Sequence, residues 1–595
     1  MSPRIPRWFS HSENSRLIAF FVLLVVVVFW DPLFTRRIFA GRDLLGYHLP
    51  IEKAVHDAYA RGRFPVWISE ISGGRPLLPN PNVGALYPLR WILSPLGFPA
   101  AMRIFPAVHW SLAGAGMLLF LRSLDLSAAS AWLGAVTYVF SGVGISQVFY
   151  TNLQPGVALI PWILWCFRRG LAGGYRWTIF LSFLIGIDML AGDVVTVGLA
   201  VLAALFWIGT ELPSAERLRA VRKIAGPVCL GALLALPQIV ATWCWIPLTR
   251  RAISGMKLEE SLFFSLRPWR LVEFLVPFPF GENWDPDSLL TWAPNVFGHR
   301  ASGFFTTLYA GALAPIGLIR TWRSRAPGLR FAKAFLLAGL FLSVAPSLVP
   351  ASWGSSRSPL PLRYPEKFAA AAVFALAIFA AHGVELLRRE TGSSRWLLGS
   401  ATVFALWAVM AHLFPSFVAR IAMSVVGAPR SLVSLAVTEV PVSLAEAGLL
   451  WTGTACGIGL MASRGRSSLA LGVVLLTFLP IAATRRVAAS YEEQILAPSP
   501  FARRIEKLDP EGQYRTLGES LFTGPPHAGP VRQIEVRARE WASNTQTLWG
   551  RGTVLNGDFD AGDLSRLDAL RRLAFVAAQN PDGAAFFSAL ALRFG

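Results

Sequence analysis

Apolar runs of membrane length alternate with short basic stretches over most of the chain, and one long polar stretch breaks the pattern near the amino terminus. An α-helix rises about 1.5 Å per residue and the hydrocarbon core of a bilayer is about 30 Å thick, so a run of about twenty apolar residues predicts one crossing. Such runs lie at 17–34, 105–121, 128–148, 155–167, 224–247, 304–319, 331–349, 367–387, 396–414, 441–461 and 469–483. The run 177–207 is too long for one crossing and is expected to break at Gly192 and Asp193. The total is about thirteen helices, and the predicted fold class is an all-α polytopic membrane bundle.

Basic residues fix the expected sidedness, because cytoplasmic loops carry the excess of Lys and Arg. Arg4, Arg7 and Arg16 precede the first run and hold the amino terminus in the cytoplasm. Arg168 and Arg169, then Arg217, Arg219, Arg222 and Lys223, then Arg320, Arg323, Arg325 and Arg330 mark inner loops, as do Arg388 with Arg389 and Arg464 with Arg466. No small-residue cleavage site follows the first run, which reads as an anchor rather than a signal peptide. Residues 1–484 are thus expected to form a transmembrane domain, with a first external loop at 35–104 and a large external loop at 248–303. Residues 485–595 mix charge, Pro and Gly with short apolar runs and are expected to form a small exoplasmic domain, partly β.

Composition agrees with a membrane protein and narrows the partners. Of 595 residues, 54% are hydrophobic and 15% charged, with a mean hydropathy of +0.49. The net charge of +20 is explained by topology, since no basic patch interleaved with stacking aromatics points to nucleic acid. A surplus of Arg also suits anionic lipid headgroups. Cys166, Cys229, Cys244 and Cys456 are scattered through apolar segments, with neither disulfide nor metal-ligand spacing. No phosphate-binding loop or dinucleotide fingerprint occurs, so no cofactor follows from motifs.

The candidate chemistry sits in the polar stretches. Asp43 lies a few residues beyond the first run and is followed by Tyr47 and His48. It reads either as a helix cap or loop acid, or as an acid presented where a lipid headgroup would lie. The next segment places Ile51, Ala54, Val55, Ala58 and Tyr59 at i, i+3, i+4 spacing, an amphipathic helix able to lie on a membrane surface. Asp188 and Asp193 fall inside or beside apolar runs, where a charge costs about 2.5 to 3.5 kcal/mol at a helix centre. Each faces a polar cavity or partner, or, for Asp193, the aqueous interface at the Gly192 turn. Arg363 and Lys367 flank Pro365 at the start of a span; they read as phosphate ligands or as interfacial anchors. His299 and Arg300, with Glu282, Asp285 and Asp287 upstream, match no metal signature. His109, His382 and His412 are isolated in apolar surroundings and read as packing residues.

An ordered set of short motifs resembles a known family. Asp43 with Tyr47, RFPVW at 63–67, GGRP at 73–76, Asn80-Pro81 and Tyr87-Pro88 are similar to the first external loop of YfhO-like bacterial membrane proteins of the GT-C glycosyltransferase superfamily. The likeness continues at Asn152, Pro161-Trp162, Leu190-Ala191-Gly192, FPFG at 278–281, Tyr309-Ala310-Gly311 and Arg363-Tyr364-Pro365, and weakly at Asn544 and Gly550. The resemblance implies a GT-C-like bundle in the bacterial cytoplasmic membrane. It implies a polyprenyl-phosphate sugar donor, a cell-envelope acceptor and a catalytic carboxylate at Asp43. Arg363, Lys367, Tyr47, His48, Asn80, Tyr87, Asn152, Asp193 and Arg300 are the candidate donor and substrate contacts. The chain departs from the family pattern at Asp193-Val194, where His-Pro is frequent, and at Lys367, where Arg is frequent.

These parts suggest one mechanism, with Asp43 as general base on an acceptor hydroxyl and Arg363 and Lys367 on the departing phosphate. A divalent metal at Asp43 is left open. The alternative class is a lipid or glycolipid transporter or flippase without transfer chemistry, and a third is a noncatalytic scaffold for envelope synthesis.

Overall fold

The computed structural model describes residues 11–483 except 72–73, 250–251, 254, 282–291, 298–302, 355, 359–361, 390–393 and 463–465, and beyond them 489–491, 495–496, 503, 507, 516–517 and 553–554. Arg300 and His299, the acids Glu282, Asp285 and Asp287, the residues Asn544 and Gly550, and most of the predicted tail domain lie outside the described residues.

Helices dominate, and they pack around one continuous apolar core. The helix Ala369–Arg389 runs through its centre: almost every residue from Ala369 to Val384 is buried. It approaches Leu313–Thr321 at two glycines, where a Cβ at Gly383 would meet the backbone of Gly317. Against it pack Leu329–Val344, Leu313–Thr321 and Ala128–Val139, with Phe120 of Phe98–Arg122 against Phe374.

Among the described residues, five helices are long and apolar enough to cross a bilayer, or up to eight if each bent pair counts as one span, against the thirteen expected. The bent pairs explain part of the difference. Ser214–Leu234 and Leu236–Leu248 meet at 69°, with Pro237 just past the joint, and Ala401–Leu413 and Pro415–Val426 meet at 109°. Proline removes a backbone donor and crowds the preceding turn, so helices end before it.

A larger departure concerns the run 304–319. Only Leu313–Thr321 is helical; its nine residues span about 14 Å. The apolar residues before it are buried but irregular. Their backbone is satisfied by acids instead of by a helix: Phe304 N–H and Phe305 N–H donate to Glu366 at 3.0 Å each, and Leu308 N–H donates to Glu273 at 3.0 Å. Non-helical backbone inside a bundle requires such internal partners.

The long run 177–207 does break where its length demands. Tyr175–Ala191 ends at Gly192, whose φ is +109°, and a Cβ there would collide with the Pro81 carbonyl oxygen. Asp193 then caps Val194–Glu211, its Oδ1 accepting the N–H groups of Val195 and Thr196 at 3.0 Å each.

The first polar loop folds on itself. Leu49–Ala60 is helical, but its apolar face does not lie free for a membrane surface: Ile51 and Val55 are buried against Ile68, Leu77, Val83 and Ala85. The loop is locked by a buried two-pronged ion pair in which Arg90 Nε and Nη2 donate to Glu52 at 2.9 and 2.6 Å. The strand Arg37–Phe39 pairs antiparallel with Ala489–Tyr491, which ties the start of the tail to this loop. Further on, Thr516–Leu517 pairs parallel with Thr553–Val554.

Part of the second loop forms its own cluster. Phe280, Trp292, Val296 and Phe297 pack on Met423 of Pro415–Val426 and on Val440 of Val433–Ala462.

Candidate functional site

Four chain segments far apart in sequence meet around one cavity of about 290 Å³. The first loop contributes Asp43, Tyr47 and His48, the turn after Gln147–Phe149 contributes Tyr150 and Asn152, the break at Gly192 contributes Asp193, and the turn before the central helix contributes Arg363, Tyr364 and Lys367. Phe304, Leu362, Thr242 and Ile246 complete much of the apolar wall. Thr242 and Ile246 belong to the bent segment Leu236–Leu248, where Leu236, Ile239, Val240, Trp243 and Leu248 are exposed. One side of the cavity therefore borders an apolar outer surface.

Asp43 stands immediately before Leu44–His48, a turn wound wider than an α-helix, and is partly exposed to the cavity while its neighbours Arg42 and Leu44 are buried. His48 is buried and its Nδ1 lies 3.0 Å from Thr151 Oγ1. Tyr47 is buried beneath the turn, and its hydroxyl lies 3.4 Å from Asn80 Nδ2. Asn152 Nδ2 donates to Asn82 Oδ1 at 3.3 Å.

Elsewhere in the lining Lys367 forms an ion pair with Asp193 Oδ2. Both residues line the cavity and are partners of one another there: Asp193 is 3% exposed, caps a helix with one oxygen and holds Lys367 with the other. Its position is neither at open water nor unpartnered. Arg363 is different, since its guanidinium carbon lies 4.8 Å over the Tyr364 ring and its Nε is buried without a hydrogen bond. Arg363 lines the cavity, and a planar guanidinium fork there suits a phosphate or carboxylate oxygen.

Two predicted contacts do not reach the cavity. Asn80 is buried, and its Oδ1 accepts Asn82 N–H at 3.1 Å to start the turn Pro81–Val83, so it shapes the loop from behind. Tyr87 is buried with its hydroxyl 2.8 Å from His109 Nε2, and burial raises its phenol well above the usual range. Asp188 also lies outside; it is fully buried against Gly156, with neither oxygen hydrogen-bonded.

Three aromatic lining residues were not among the candidates. Tyr150 and Phe304 stack at 4.4 Å with 12° between planes, Phe304 and Tyr364 at 5.4 Å with 28°. Tyr150 hydroxyl also donates to the Phe304 carbonyl at 2.8 Å. Tyr364 has φ +64°, a left-handed conformation that costs a non-glycine residue about 1 to 3 kcal/mol and concentrates at functional sites. The Pro after it was the only hint in the sequence of an unusual turn. Among the described residues no three of His, Cys, Asp and Glu gather to hold a metal ion. Near the cavity, Asp193 is already committed to a helix cap and to Lys367.

No protein-family model and no curated protein sequence matches the chain. Among solved structures it is similar to ArnT from Cupriavidus metallidurans in the apo state, with 15% identity over 91% of this chain and 90% of that one, at a TM-score of 0.49. The crystal structure of ArnT bound to undecaprenyl phosphate gives 16% identity, the same coverage and a TM-score of 0.48. The Archaeoglobus fulgidus oligosaccharyltransferase in the apo form is similar at 12% identity over 98% of this chain and 69% of that one, with a TM-score of 0.43. The arabinofuranosyltransferase AftD from Mycobacteria gives 17% identity over 77% of this chain and 27% of that one, with a TM-score of 0.39.

Proposed function

We propose that the protein is a GT-C type glycosyltransferase that moves a sugar from a polyprenyl-phosphate carrier to a cell-envelope acceptor at the exoplasmic face of a bacterial membrane. The observation that carries this reading is the convergence of Asp43 and Arg363, 320 positions apart in sequence, on one cavity with an apolar flank. The carboxylate is the proton acceptor such a transfer needs, the guanidinium is the phosphate ligand, and the exposed side of Leu236–Leu248 is a surface an isoprenoid tail can lie against.

The steps follow from these roles. The acceptor hydroxyl oxygen attacks the anomeric carbon while Asp43 takes its proton, the bond from that carbon to the phosphate oxygen breaks, and polyprenyl phosphate departs. Negative charge grows on the phosphate as the bond breaks, so a guanidinium held beside it favours the transition state over the ground state. A single displacement inverts the anomeric configuration. Lys367 acts mainly by holding the Asp193 side of the wall and contributes its field to the phosphate from there. The stacked rings of Tyr150, Phe304 and Tyr364 give the donor a rigid apolar flank.

The test is incubation of the purified protein in lipid with a radiolabelled polyprenyl-phosphate sugar and an envelope glycan fraction. The reading expects label in a new glycosidic bond. Label that crosses the bilayer still attached to its carrier, with no new bond, would establish the transporter class instead.

A further inference from the structure

A buried ion cluster lies behind the cavity wall, and the chemistry above does not use it. Arg270 Nε and Nη2 donate to the two oxygens of Glu273 at 2.6 and 3.0 Å, and its Nη1 lies 2.6 Å from Glu366 Oε1. All three side chains are at most 2% exposed. The Glu366 oxygens also accept the N–H groups of Phe304 and Phe305. At the next residue back, the Gly303 carbonyl accepts Arg42 Nη2 at 2.5 Å.

These bonds form a path from one side of the cavity to the other. Arg42 precedes Asp43; Gly303 and Phe304 follow, with the Phe304 ring in the wall; Glu366 precedes Lys367 and stands three residues after Arg363. The path is short, buried and made of backbone groups and forked side chains, which have little freedom to slide. Fold stability alone does not call for it, because well-packed apolar residues in place of a buried ion cluster are commonly as stable or more so. An apolar run such as 304–312 could also satisfy its own N–H groups as a helix. What the carboxylate adds is a fixed spacing.

We propose that Glu366 is a positioning residue that sets the separation between the Asp43 loop and the turn carrying Arg363, and thereby the fit of a phosphate-bearing polyprenyl lipid in the cavity. This rests on the functional reading above. Glu366→Gln keeps the shape, removes the charge that faces Arg270 and turns an amide N–H₂ toward one of the two backbone donors. Gly303→Ala strikes the same path from the other side while keeping all three charges of the cluster, since a Cβ there would run into the Arg270 guanidinium.

The experiment measures two quantities on wild type and both variants: binding of polyprenyl phosphate to the purified protein, and amide hydrogen exchange over residues 303–308 without ligand. The expected result is faster exchange at 304–305 together with at least a tenfold rise in Kd, in whichever variants fold. A variant that lost only stability would show fewer binding-competent molecules with an unchanged Kd, and that result overturns the proposal, as does unchanged exchange. Absence of binding by the wild type would overturn the functional reading and this proposal with it, whereas normal wild-type binding with equally tight variants would overturn the positioning role alone.

Discussion

The Asp193–Lys367 pair supplies a stability prediction whose parts can be separated. Asp193 does two jobs with two oxygens: Oδ1 caps the helix Val194–Glu211 and Oδ2 holds Lys367, whose side chain is 13% exposed. Asparagine caps about as well as aspartate, so Asp193→Asn removes the charge and keeps the cap. Breaking a buried pair by removing one partner costs about 3 to 5 kcal/mol, and the slight exposure of Lys367 puts the expected loss near the lower end, about 3 kcal/mol. Asp193→Ala also removes the cap and should cost about 1 kcal/mol more. Lys367→Met should cost less than Asp193→Asn, about 2 kcal/mol, because the two backbone donors still hold the Asp193 charge. The double variant Asp193→Asn, Lys367→Met leaves no orphaned charge, so the cycle should show coupling of about 1 to 3 kcal/mol. Denaturant unfolding in detergent, followed by tryptophan fluorescence, gives the four free energies. Additivity of the two single changes within about 0.5 kcal/mol would refute the pairing, and equal stability of the Asn and Ala variants would refute the cap.

Other outcomes follow from single contacts. Arg363→Ala should lower kcat/KM for the donor by about ten- to a hundredfold, the range for a hydrogen bond to a charged group, with kcat falling, and leave the acceptor KM nearly unchanged; equal losses toward donor and acceptor would assign it a structural part. Gly192→Ala should destabilise the fold by at least about 2 kcal/mol, since it sets a side chain at φ +109° into the Pro81 carbonyl, and a wild-type melting temperature would contradict the close approach. Burial pushes the Asp57 carboxyl up, but Lys53 at 2.6 Å, with His56 beside it, outweighs this and holds it below its ordinary value. A depressed carboxyl stabilises the fold above its unfolded value and loses that contribution as pH falls through the folded one. Stability should therefore drop on acidification below about pH 4, with a shallower drop in Asp57→Asn, and identical slopes would remove Asp57 from the account.

The sequence was most informative where chemistry and hydropathy conflict. Asp43, Arg363 and Lys367 stand out as polar groups at the ends of membrane-length runs and within the family-like motifs, and the structure brings them to one cavity. The break at Gly192 was readable from length alone. Hydropathy misled at 304–312, because a window counts apolar side chains and is blind to carboxylates 35 and 62 residues away that take up the backbone N–H groups. Arg270 and Glu273, three apart, and Glu366, directly before Lys367, were present as signals, yet nothing local says that the three meet. Asn80 and Tyr87 were legible as parts of a motif, but not their internal partners, Asn82 and His109, which hold them behind the lining. The amphipathic helix Leu49–Ala60 was legible, but the cover for its apolar face came from its own loop rather than from lipid.

The most direct measurement of the central claim is single-turnover transfer from a labelled polyprenyl-phosphate sugar by wild type and Asp43→Asn, alongside polyprenyl phosphate binding by each. The account predicts that Asp43→Asn binds the carrier within a few-fold of wild type and transfers at least about a hundredfold more slowly, the scale lost with a general base. Transfer by Asp43→Asn at the wild-type rate would contradict it.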